Sequence, residues 1–410
     1  MNKVTRLKYY IESLCIYDFE DDGVFSALYD LLCDDEEDTV ALQSYFFKEL
    51  AKSESLKRHI SRLILTNDNI FTKAACAGKV NELSIAVINA VKSDLAKLEE
   101  IASLTAQDIL ADIDDEDIKE ILLTLPGWEV GKPLAPLDSH WDRQLDELIK
   151  YHRENGYGIY ANIAFTWRDE EITPVNSIDP IRLTDLKNYE LQRNKVIDNT
   201  ESFIAGHPAN NVLLYGDRGT GKSSTVHAIL NEYWQKGLRM IEIPKSVADL
   251  SLIREQIADS PMKFIIYIDD LSFDSNDTSF SELKAALEGS LSGKQPNTII
   301  YATSNRRHLI KENFSDREND VNKGDTMQEQ LSLSDRFGLT ITFLNPDKKE
   351  YLDIVEKLAC DRHFEEHGVD VDKLLFKADQ WATRRGGRSP RGAKQFIDHV
   401  EGCIKRGKEW

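Results

Sequence analysis

Hydrophobic positions recur with helical spacing through the first third of the chain. Between Val4 and about Leu125, apolar residues lie three and four positions apart, and the two-residue alternation typical of a half-buried strand is scarce. Pro and Gly residues interrupt this pattern from Leu125 to Pro136, and neither residue type continues a helix. The pattern predicts an all-α N-terminal domain over residues 1–125, followed by a linker and lead-in segment over residues 126–180.

Short apolar runs alternate with amphipathic helical stretches in the second half of the chain. Runs of four or five apolar residues between helices are typical of buried parallel strands that crossover helices connect. The predicted strands cover residues 212–215, 240–243, 264–268, 298–302 and 339–343. Helical spacing precedes them over residues 185–203 and returns after Lys348. We therefore predict an α/β core with a parallel sheet over residues 181–345 and a helical C-terminal lid over residues 346–410.

Composition and charge exclude several classes of protein. The chain has 410 residues, of which 41% are hydrophobic and 30% are charged, as in folded globular proteins. Its formal net charge of −20 argues against a protein that coats nucleic acid or an anionic membrane with its whole surface. The first 150 residues hold 16 basic and 30 acidic side chains, so the acidity is concentrated in the N-terminal part.

Cysteine usage and hydropathy bear on the location of the protein. The five cysteines are widely scattered and include no C-x-x-C pair, a pattern that favours reduced thiols over zinc or redox chemistry. The basic start of the chain leads into an apolar stretch that Glu12 interrupts, so no signal peptide is predicted. No apolar run approaches the ~18 residues that a membrane span needs. We expect a cytoplasmic protein without a membrane partner.

Residues 216–223, here called the phosphate loop, carry the strongest chemical signal. They match the pattern G-x-x-x-x-G-K-[ST] and lie between a predicted strand and a predicted helix over residues 224–234. The glycines allow backbone N–H groups to surround a β-phosphate, and the helix N-terminus adds its positive dipole end. Lys222 offers a cation and Ser223 a ligand for Mg²⁺. The predicted nucleotide-binding residues are Gly216, Asp217, Arg218, Gly219, Thr220, Gly221, Lys222, Ser223 and Ser224.

Two carboxylates follow the predicted strand 264–268. In P-loop proteins a carboxylate at the end of such a strand holds magnesium through water, and a second one can polarise the attacking water. Asp269 fits the first role, with Ser223 as the other metal ligand, and Asp270 fits the second. Paired aspartates at a strand end are also common turn formers, and it is the phosphate loop upstream that favours the catalytic interpretation.

The succession of motifs resembles an AAA+ ATPase module. The stretches that carry the resemblance are residues 216–223, 264–270, 298–305, 334–338 and 389–391. The likeness covers roughly residues 180–410, and residues 155–400 resemble more closely a family of bacterial ATP-binding proteins catalogued only as a domain of unknown function. The resemblance implies an ATPase that uses ATP and Mg²⁺ and assembles into a homo-oligomer.

Three further residues match functional positions of AAA+ modules. The resemblance implies that Asn305 is the sensor-1 residue that helps to place the attacking water, although an Asn at a strand end can also be a turn residue. Arg336 matches the arginine finger that serves a neighbouring subunit, a task that suits a permanently charged, bidentate guanidinium. Arg391 matches the sensor-2 arginine of the lid. Residues 183–190 match the stretch that lines the adenine pocket, where only the apolar members and Tyr189 are expected to touch the base.

The sequence departs from the AAA+ pattern at one catalytic position. AAA+ strands usually end in Asp-Glu, whereas this strand ends in Asp269-Asp270. The shorter side chain retracts the candidate base by about 1 Å, and misplacement on that scale can cost ~100-fold in rate. Slow hydrolysis is therefore one expected consequence.

Two functional hypotheses follow. The leading one is an oligomeric ATPase that couples Mg-ATP hydrolysis to remodelling of a macromolecular partner, with the acidic N-terminal domain as the candidate protein-binding part. The alternative is a nucleotide-gated binding switch or adaptor with little or no hydrolysis. A small-molecule kinase is less favoured, because Asn305, Arg336 and Arg391 would then have no evident role. Nucleic acid is possible but not favoured as a partner, since little aromatic interleaving accompanies the basic residues of 384–408.

Overall fold

The chain divides into two compact units. One consists of Met1–Ala161 with Ser260–Met262, and the other of Asn162–Asp259 with Lys263–Trp410. The computed structural model describes residues 1–34, 38–53, 55–175, 177–243, 249–272, 283–284, 287, 295–305 and 336–410. No helix within these ranges is both long and apolar enough to cross a membrane. The domain bounds predicted from the sequence are finer than this division and stay a prediction.

The first unit is helical, as the spacing of its hydrophobic residues predicts. In its described residues it contains helices and no strand. Its helices are α1 (Lys3–Glu12), α2 (Gly23–Cys33), α3 (Thr39–Leu50), α4 (Leu56–Thr66), α5 (Ile70–Ala77), α6 (Ile85–Ile101), α7 (Ala106–Leu110), α8 (Glu116–Leu122) and α9 (Leu145–Asn155). Their apolar faces share one core, in which Leu7, Phe46, Ile60 and Leu95 are fully buried.

Local sequence signals delimit the helices of this unit. Asn69 precedes α5, and its side chain accepts hydrogen bonds from the backbone N–H groups of Phe71 and Thr72, both at 2.9 Å. Such a cap satisfies donors that have no partner inside the helix. Gly78 ends α5 in the left-handed conformation, with φ of 71°, which costs glycine little.

One buried histidine lies on α9. The Nδ1 atom of His152 is 3.0 Å from the carbonyl oxygen of Gly156, and the side chain is fully buried. Phe71 and Tyr151 pack edge-on against the imidazole. Burial lowers the pKa of His152 to about 4, against a smaller opposite effect of the hydrogen bond to Gly156. The imidazole is therefore neutral near pH 7.

The second unit is built around a seven-stranded, mostly parallel sheet. Its strands are β1 (Ala164–Arg168), β2 (Glu171–Pro174), β3 (Val212–Gly216), β4 (Leu238–Ile243), β5 (Lys263–Ile268), β6 (Thr298–Ser304) and β7 (Leu339–Phe343). Their order is β2-β1-β4-β5-β6-β3-β7, and only the β1–β2 pair is antiparallel. All five strands predicted from apolar runs are confirmed. The apolar runs could be recognised in the sequence because both faces of these central strands are covered, so that consecutive residues along each strand are apolar.

Helices cover this sheet and follow it as a C-terminal lid. They are α10 (Glu190–Ile204), α11 (Lys222–Tyr233), α12 (Leu250–Gln256), α13 (Lys348–Asp361), α14 (Val371–Arg384) and α15 (Pro390–Ile404). Val226 and Ile229 of α11 belong to the same buried cluster as Leu214 of β3 and Ile265 of β5. Helices α13–α15 form the lid, which has a separate apolar cluster. The predicted fold class is confirmed: an α/β P-loop core with a C-terminal helical lid, preceded by an all-α region.

The predicted first residue of the helix over residues 185–203 was wrong. Residues Leu183–Asp185 form a short 3₁₀ turn, and α10 begins only at Glu190. Asn188 and Tyr189 have φ of 65° and 61°, which a right-handed helix does not allow. The helical spacing was present in the sequence, but these two residues turn the chain before the helix.

The strand order brings the chemical motifs to one edge of the sheet. Strand β3 lies between β6 and β7, and β5 pairs with the other side of β6. Because these strands are parallel, their carboxyl ends face the same direction, where open α/β sheets bind ligands. The residues that follow β3, β5 and β6 are therefore neighbours.

Candidate functional site

The phosphate loop follows β3 in a conformation that requires glycine. Gly216 has φ of 135°, and a Cβ atom added there would lie 2.0 Å from the carbonyl oxygen of Phe343. The next residue, Asp217, donates its backbone N–H to that same oxygen at 2.8 Å, and its Oδ2 accepts the N–H of Asn345 at 2.7 Å. The loop is thus fixed against the end of β7 and the start of the connection to the lid.

Lys222 is buried inside the phosphate loop, with 6% of its surface exposed. Its Nζ donates to the carbonyl oxygens of Gly216 at 3.1 Å and Asp217 at 2.7 Å, and to Oδ1 of Asn305 at 3.0 Å. Burial lowers the pKa of Lys222, and the negative charges of Asp217, Asp269 and Asp270 oppose this. The cation is thus held by two carbonyl groups at the start of the loop and by the Asn305 side chain.

Asp269 lies at the end of β5 and is fixed by three hydroxyl groups. Its Oδ1 accepts hydrogen bonds from Ser223 at 2.8 Å, Tyr267 at 2.6 Å and Thr303 at 2.6 Å. Burial alone would raise the pKa of Asp269, but these hydrogen bonds outweigh it and the pKa is lowered. The carboxylate is therefore charged and has a fixed orientation.

Asp270 and Asn305 form a second polar contact beside Lys222. The Nδ2 atom of Asn305 donates to Oδ1 of Asp270 at 2.7 Å, while the backbone N–H of Asp270 donates to Thr303 Oγ1 at 3.0 Å. Asp270 has φ of 52°, in the left-handed region that Asp tolerates better than most residues. Asn305 thus connects the lysine of the loop to the second carboxylate.

Two contacts join the lid to this edge of the sheet. The backbone N–H of Arg391, in the first turn of α15, donates to the carbonyl oxygen of Gly219 at 3.0 Å. Lys187, ahead of α10, forms an ion pair with Asp361 at the end of α13, at 2.5 Å. The lid therefore contacts both the phosphate loop and the segment that leads into the core.

A cavity of about 800 Å³ opens between these elements. Its size is within the ~300–1,000 Å³ of ligand sites. Among the described residues its lining holds seven Lys or Arg and five Asp, so this part of the lining is positive in a chain of net charge −20. Apolar side chains also line it, among them Ile181, Leu186, Tyr189, Ile354 and Leu358. A lining that combines apolar groups with cations and backbone amides suits a nucleoside and its phosphates.

The donor set also fits Mg²⁺. A hydroxyl and a carboxylate, those of Ser223 and Asp269, lie side by side at the cavity and are joined by a hydrogen bond of 2.8 Å. Mg²⁺ is usually held by one or two carboxylates together with water and phosphate oxygens. Among the described residues no group of three or more His, Cys, Asp or Glu could hold a metal ion by itself. A cation at this position would depend on a phosphate for further ligands.

The structure brings most of the sequence-predicted site residues to this cavity. Those that line it are Arg218, Gly219, Thr220, Gly221, Lys222, Ser223, Ser224, Asp269, Asp270, Asn305 and Arg391. Gly216 and Asp217 are not among these lining residues, and they fix the start of the loop against Phe343 at the end of β7. Arg336 lies just ahead of β7, is partly buried, and does not belong to the cavity lining. The preceding residues 334–335 of its motif lie outside the described residues.

Sequence reasoning missed several residues of the site. Thr303 and Tyr267 contact Asp269 directly, and Lys187 and Asp361 form the ion pair at the cavity. Tyr267 precedes Asp269 by two positions on a strand, and this period places both side chains on one face. That signal was available in the sequence, whereas no local pattern indicates the pairing of residues as distant as Lys187 and Asp361.

Comparison with known proteins gives one family and a distant structural likeness. The family described as protein of unknown function DUF815 matches residues 160–404. Among solved structures, two variants of RuvB from Thermotoga maritima are similar at 15% and 16% sequence identity, each with a TM-score of 0.38. The similarity covers 56% of this chain and 67% and 66% of those chains. No curated protein matches the sequence.

Proposed function

The chain belongs to the DUF815 family of proteins of unknown function, and from that premise and the site we propose that it is an AAA+ type ATPase. It binds ATP with Mg²⁺ and hydrolyses the terminal phosphoanhydride bond. Hydrolysis changes the conformation of a homo-oligomer that acts on a macromolecular partner. The acidic N-terminal part is the candidate surface for a protein partner.

One observation carries this proposal. Lys222, Asn305 and Asp270 form a continuous hydrogen-bonded chain at the cavity, next to the Ser223–Asp269 pair. Phosphoryl transfer needs positioned cations and a group that orients the attacking water. These five side chains come from three sequence motifs and meet at the ends of β3, β5 and β6. A structural polar cluster would have no need of a phosphate loop beside it.

Each site residue has a defined task in this proposal. The amides of the phosphate loop and Lys222 bind phosphate oxygens, while Ser223 and Asp269 hold Mg²⁺, which supplies charge neutralisation when bound. Asp270 orients and polarises the attacking water, and Asn305 fixes that carboxylate. Arg391 extends from the lid toward the nucleotide of its own subunit, and Arg336 serves the nucleotide of a neighbour.

A specific observation favours a second candidate, the nucleotide-gated switch. Asp270 is engaged by Asn305 at 2.7 Å, and Asn305 is itself engaged by Lys222 at 3.0 Å. A carboxylate that is engaged in this way is a weaker base for water than an exposed one. If this arrangement persists with nucleotide bound, the protein changes conformation on binding and turns over little ATP.

Steady-state phosphate release decides between the two candidates. We expect the full-length protein to release phosphate with Mg-ATP, with a specific activity that rises with protein concentration. Lys222→Ala should abolish nucleotide binding, and Asp270→Asn should bind nucleotide but lose release by at least ~100-fold. Arg153→Ala, a change in α9 far along the sequence from every site motif, is the matched control and should leave both unchanged.

The second candidate gives a different result in the same assay. The wild-type protein would bind nucleotide with Lys222-dependent affinity but would release phosphate no faster than Lys222→Ala. Partner capture would then be equal with ATP and with a non-hydrolysable analogue. If the wild-type protein bound no nucleotide, both candidates would be wrong.

A further inference from the structure

Tyr267 is a buried tyrosine whose hydroxyl contacts the carboxylate of the proposed metal site. Its side chain is 1% exposed, and its OH donates to Asp269 Oδ1 at 2.6 Å. The two residues are two positions apart at the end of β5, so their side chains lie on the same face of the sheet. A buried hydroxyl needs a hydrogen-bond partner, and here the partner is a charged group.

All hydrogen bonds to this carboxylate end on one oxygen. Tyr267, Thr303 and Ser223 donate to Oδ1, and no donor within the described part of the chain contacts Oδ2. Asp269 also lines the cavity. The hydroxyl groups therefore fix the orientation of the carboxylate through Oδ1 and leave Oδ2 for a ligand.

We propose that Tyr267 is a positioning residue for the Mg²⁺ of the nucleotide site, acting through the orientation of the Asp269 carboxylate. This inference rests on the proposed function. Ser223 is itself an expected ligand of the ion. Tyr267 and Thr303 are the two hydroxyl donors to Oδ1 that are not expected ligands, and they hold the carboxylate in place.

The chain offers a matched control for this tyrosine. Tyr301 of β6 is paired in register with Tyr267, and its side chain is fully buried. Its hydroxyl lies 2.7 Å from Thr200 Oγ1 on α10, and neither residue lines the cavity. Tyr267→Phe and Tyr301→Phe each remove one buried hydroxyl from neighbouring positions, but only the first contacts Asp269.

The test separates Mg²⁺ dependence from nucleotide binding. A fluorescent ATP analogue is titrated into the full-length protein, first with EDTA and then with rising Mg²⁺ at fixed nucleotide. We expect both variants to bind the analogue without Mg²⁺ as the wild type does. The Mg²⁺ midpoint should rise about 10-fold in Tyr267→Phe, the scale seen when a partner of a metal ligand is removed. It should not move in Tyr301→Phe.

A second pair of variants covers the case in which Tyr267→Phe does not fold. Thr303→Val removes the other hydroxyl that holds Oδ1 and should raise the Mg²⁺ midpoint, whereas Thr303→Ser keeps a hydroxyl and should restore it. An unchanged midpoint in the folded variants that lack a hydroxyl would overturn the inference while leaving the proposed function intact, and so would an equal shift in Tyr301→Phe. A wild-type protein without Mg²⁺-dependent nucleotide binding would overturn the proposed function and this inference together.

Discussion

Asp269 and His152 are each kept in one protonation state, by different means. The hydroxyl donors around Asp269 outweigh the effect of burial, so its pKa is lowered and the carboxylate stays charged. His152 has one hydrogen bond, to the Gly156 carbonyl, and burial lowers its pKa so that the imidazole stays neutral. Burial disfavours charge in both cases, and the hydrogen-bond partners decide the result: three donors stabilise the Asp269 carboxylate, whereas one acceptor does not offset the burial of His152.

The state of His152 makes the stability of the first unit depend on pH. Its pKa is about 4 in the folded protein, against an ordinary value near 6.5. Between these values the unfolded state binds more protons, so stability falls as pH is lowered from about 6.5 to 4. The expected loss is about 3 kcal/mol, levelling off below pH 4. Hydrogen exchange of α5 and α9 at a series of pH values measures it.

The control for this experiment is His152→Gln, which cannot titrate. Comparing the two proteins at each pH removes the intrinsic pH dependence of exchange. The variant should lose less protection than the wild type between pH 6.5 and 4. Parallel loss in both proteins would show that other groups, not His152, govern the acid sensitivity.

The sequence predicts the site at the level of motifs and not of contacts. The phosphate loop, Asp269, Asp270, Asn305 and Arg391 lie at the cavity or support it, because the first four follow parallel strands of the sheet and Arg391 lies in the first turn of α15. The chain of hydrogen bonds from Lys222 through Asn305 to Asp270 could not be predicted, since it depends on side-chain rotamers at the ends of three strands.

At the scale of elements, the contact between β3 and β7 decides how the phosphate loop begins. These strands pair in parallel from Val212 with Leu339 to Gly216 with Phe343. The pair ends where Gly216 and the Phe343 carbonyl are too close for a side chain. Apolar runs in the sequence indicate both strands, but they do not indicate which strands are neighbours, and so the reason for Gly216 is visible only in the sheet.

Two glycines of the phosphate loop should respond differently to substitution. Gly216→Ala places a Cβ atom 2.0 Å from the Phe343 oxygen at φ of 135°, whereas Gly221→Ala has φ of 93° and no atom within 4 Å. We expect backbone strain of about 1–2 kcal/mol in both variants, and overpacking of about 1–3 kcal/mol more in Gly216→Ala. Thermal unfolding should show a melting temperature lower by about 5 °C in Gly216→Ala than in Gly221→Ala. Equal melting temperatures would contradict the role of the β3–β7 contact.

At the scale of the whole molecule, charge is distributed unevenly. The chain has a net charge of −20, yet the described part of the cavity lining has more cationic than anionic side chains. An acidic surface repels polyanions in general, and a local cationic cavity still attracts a small one. The net charge in the sequence indicated which partners to exclude. Only the fold shows that Lys and Arg side chains from distant parts of the sequence line one cavity.

In the proposed oligomer, each nucleotide site needs a residue from a neighbouring subunit, and this requirement can be tested. Arg336 is absent from the cavity lining of its own chain within the described residues, and we expect it to act at a neighbour's nucleotide. Lys222→Ala and Arg336→Ala should each be inactive alone. Mixing them should restore partial phosphate release, because Lys222→Ala supplies Arg336 to intact sites. A mixture no more active than its components would refute sharing between subunits.

The anchoring of Asp217 to the backbone of Phe343 and Asn345 has a mechanical consequence. The phosphate loop is hydrogen-bonded to the connection between β7 and the lid, only a few residues before α13 begins at Lys348. A movement of the lid that displaces this connection would also displace the loop, so we expect the conformation of the loop to depend on the position of the lid.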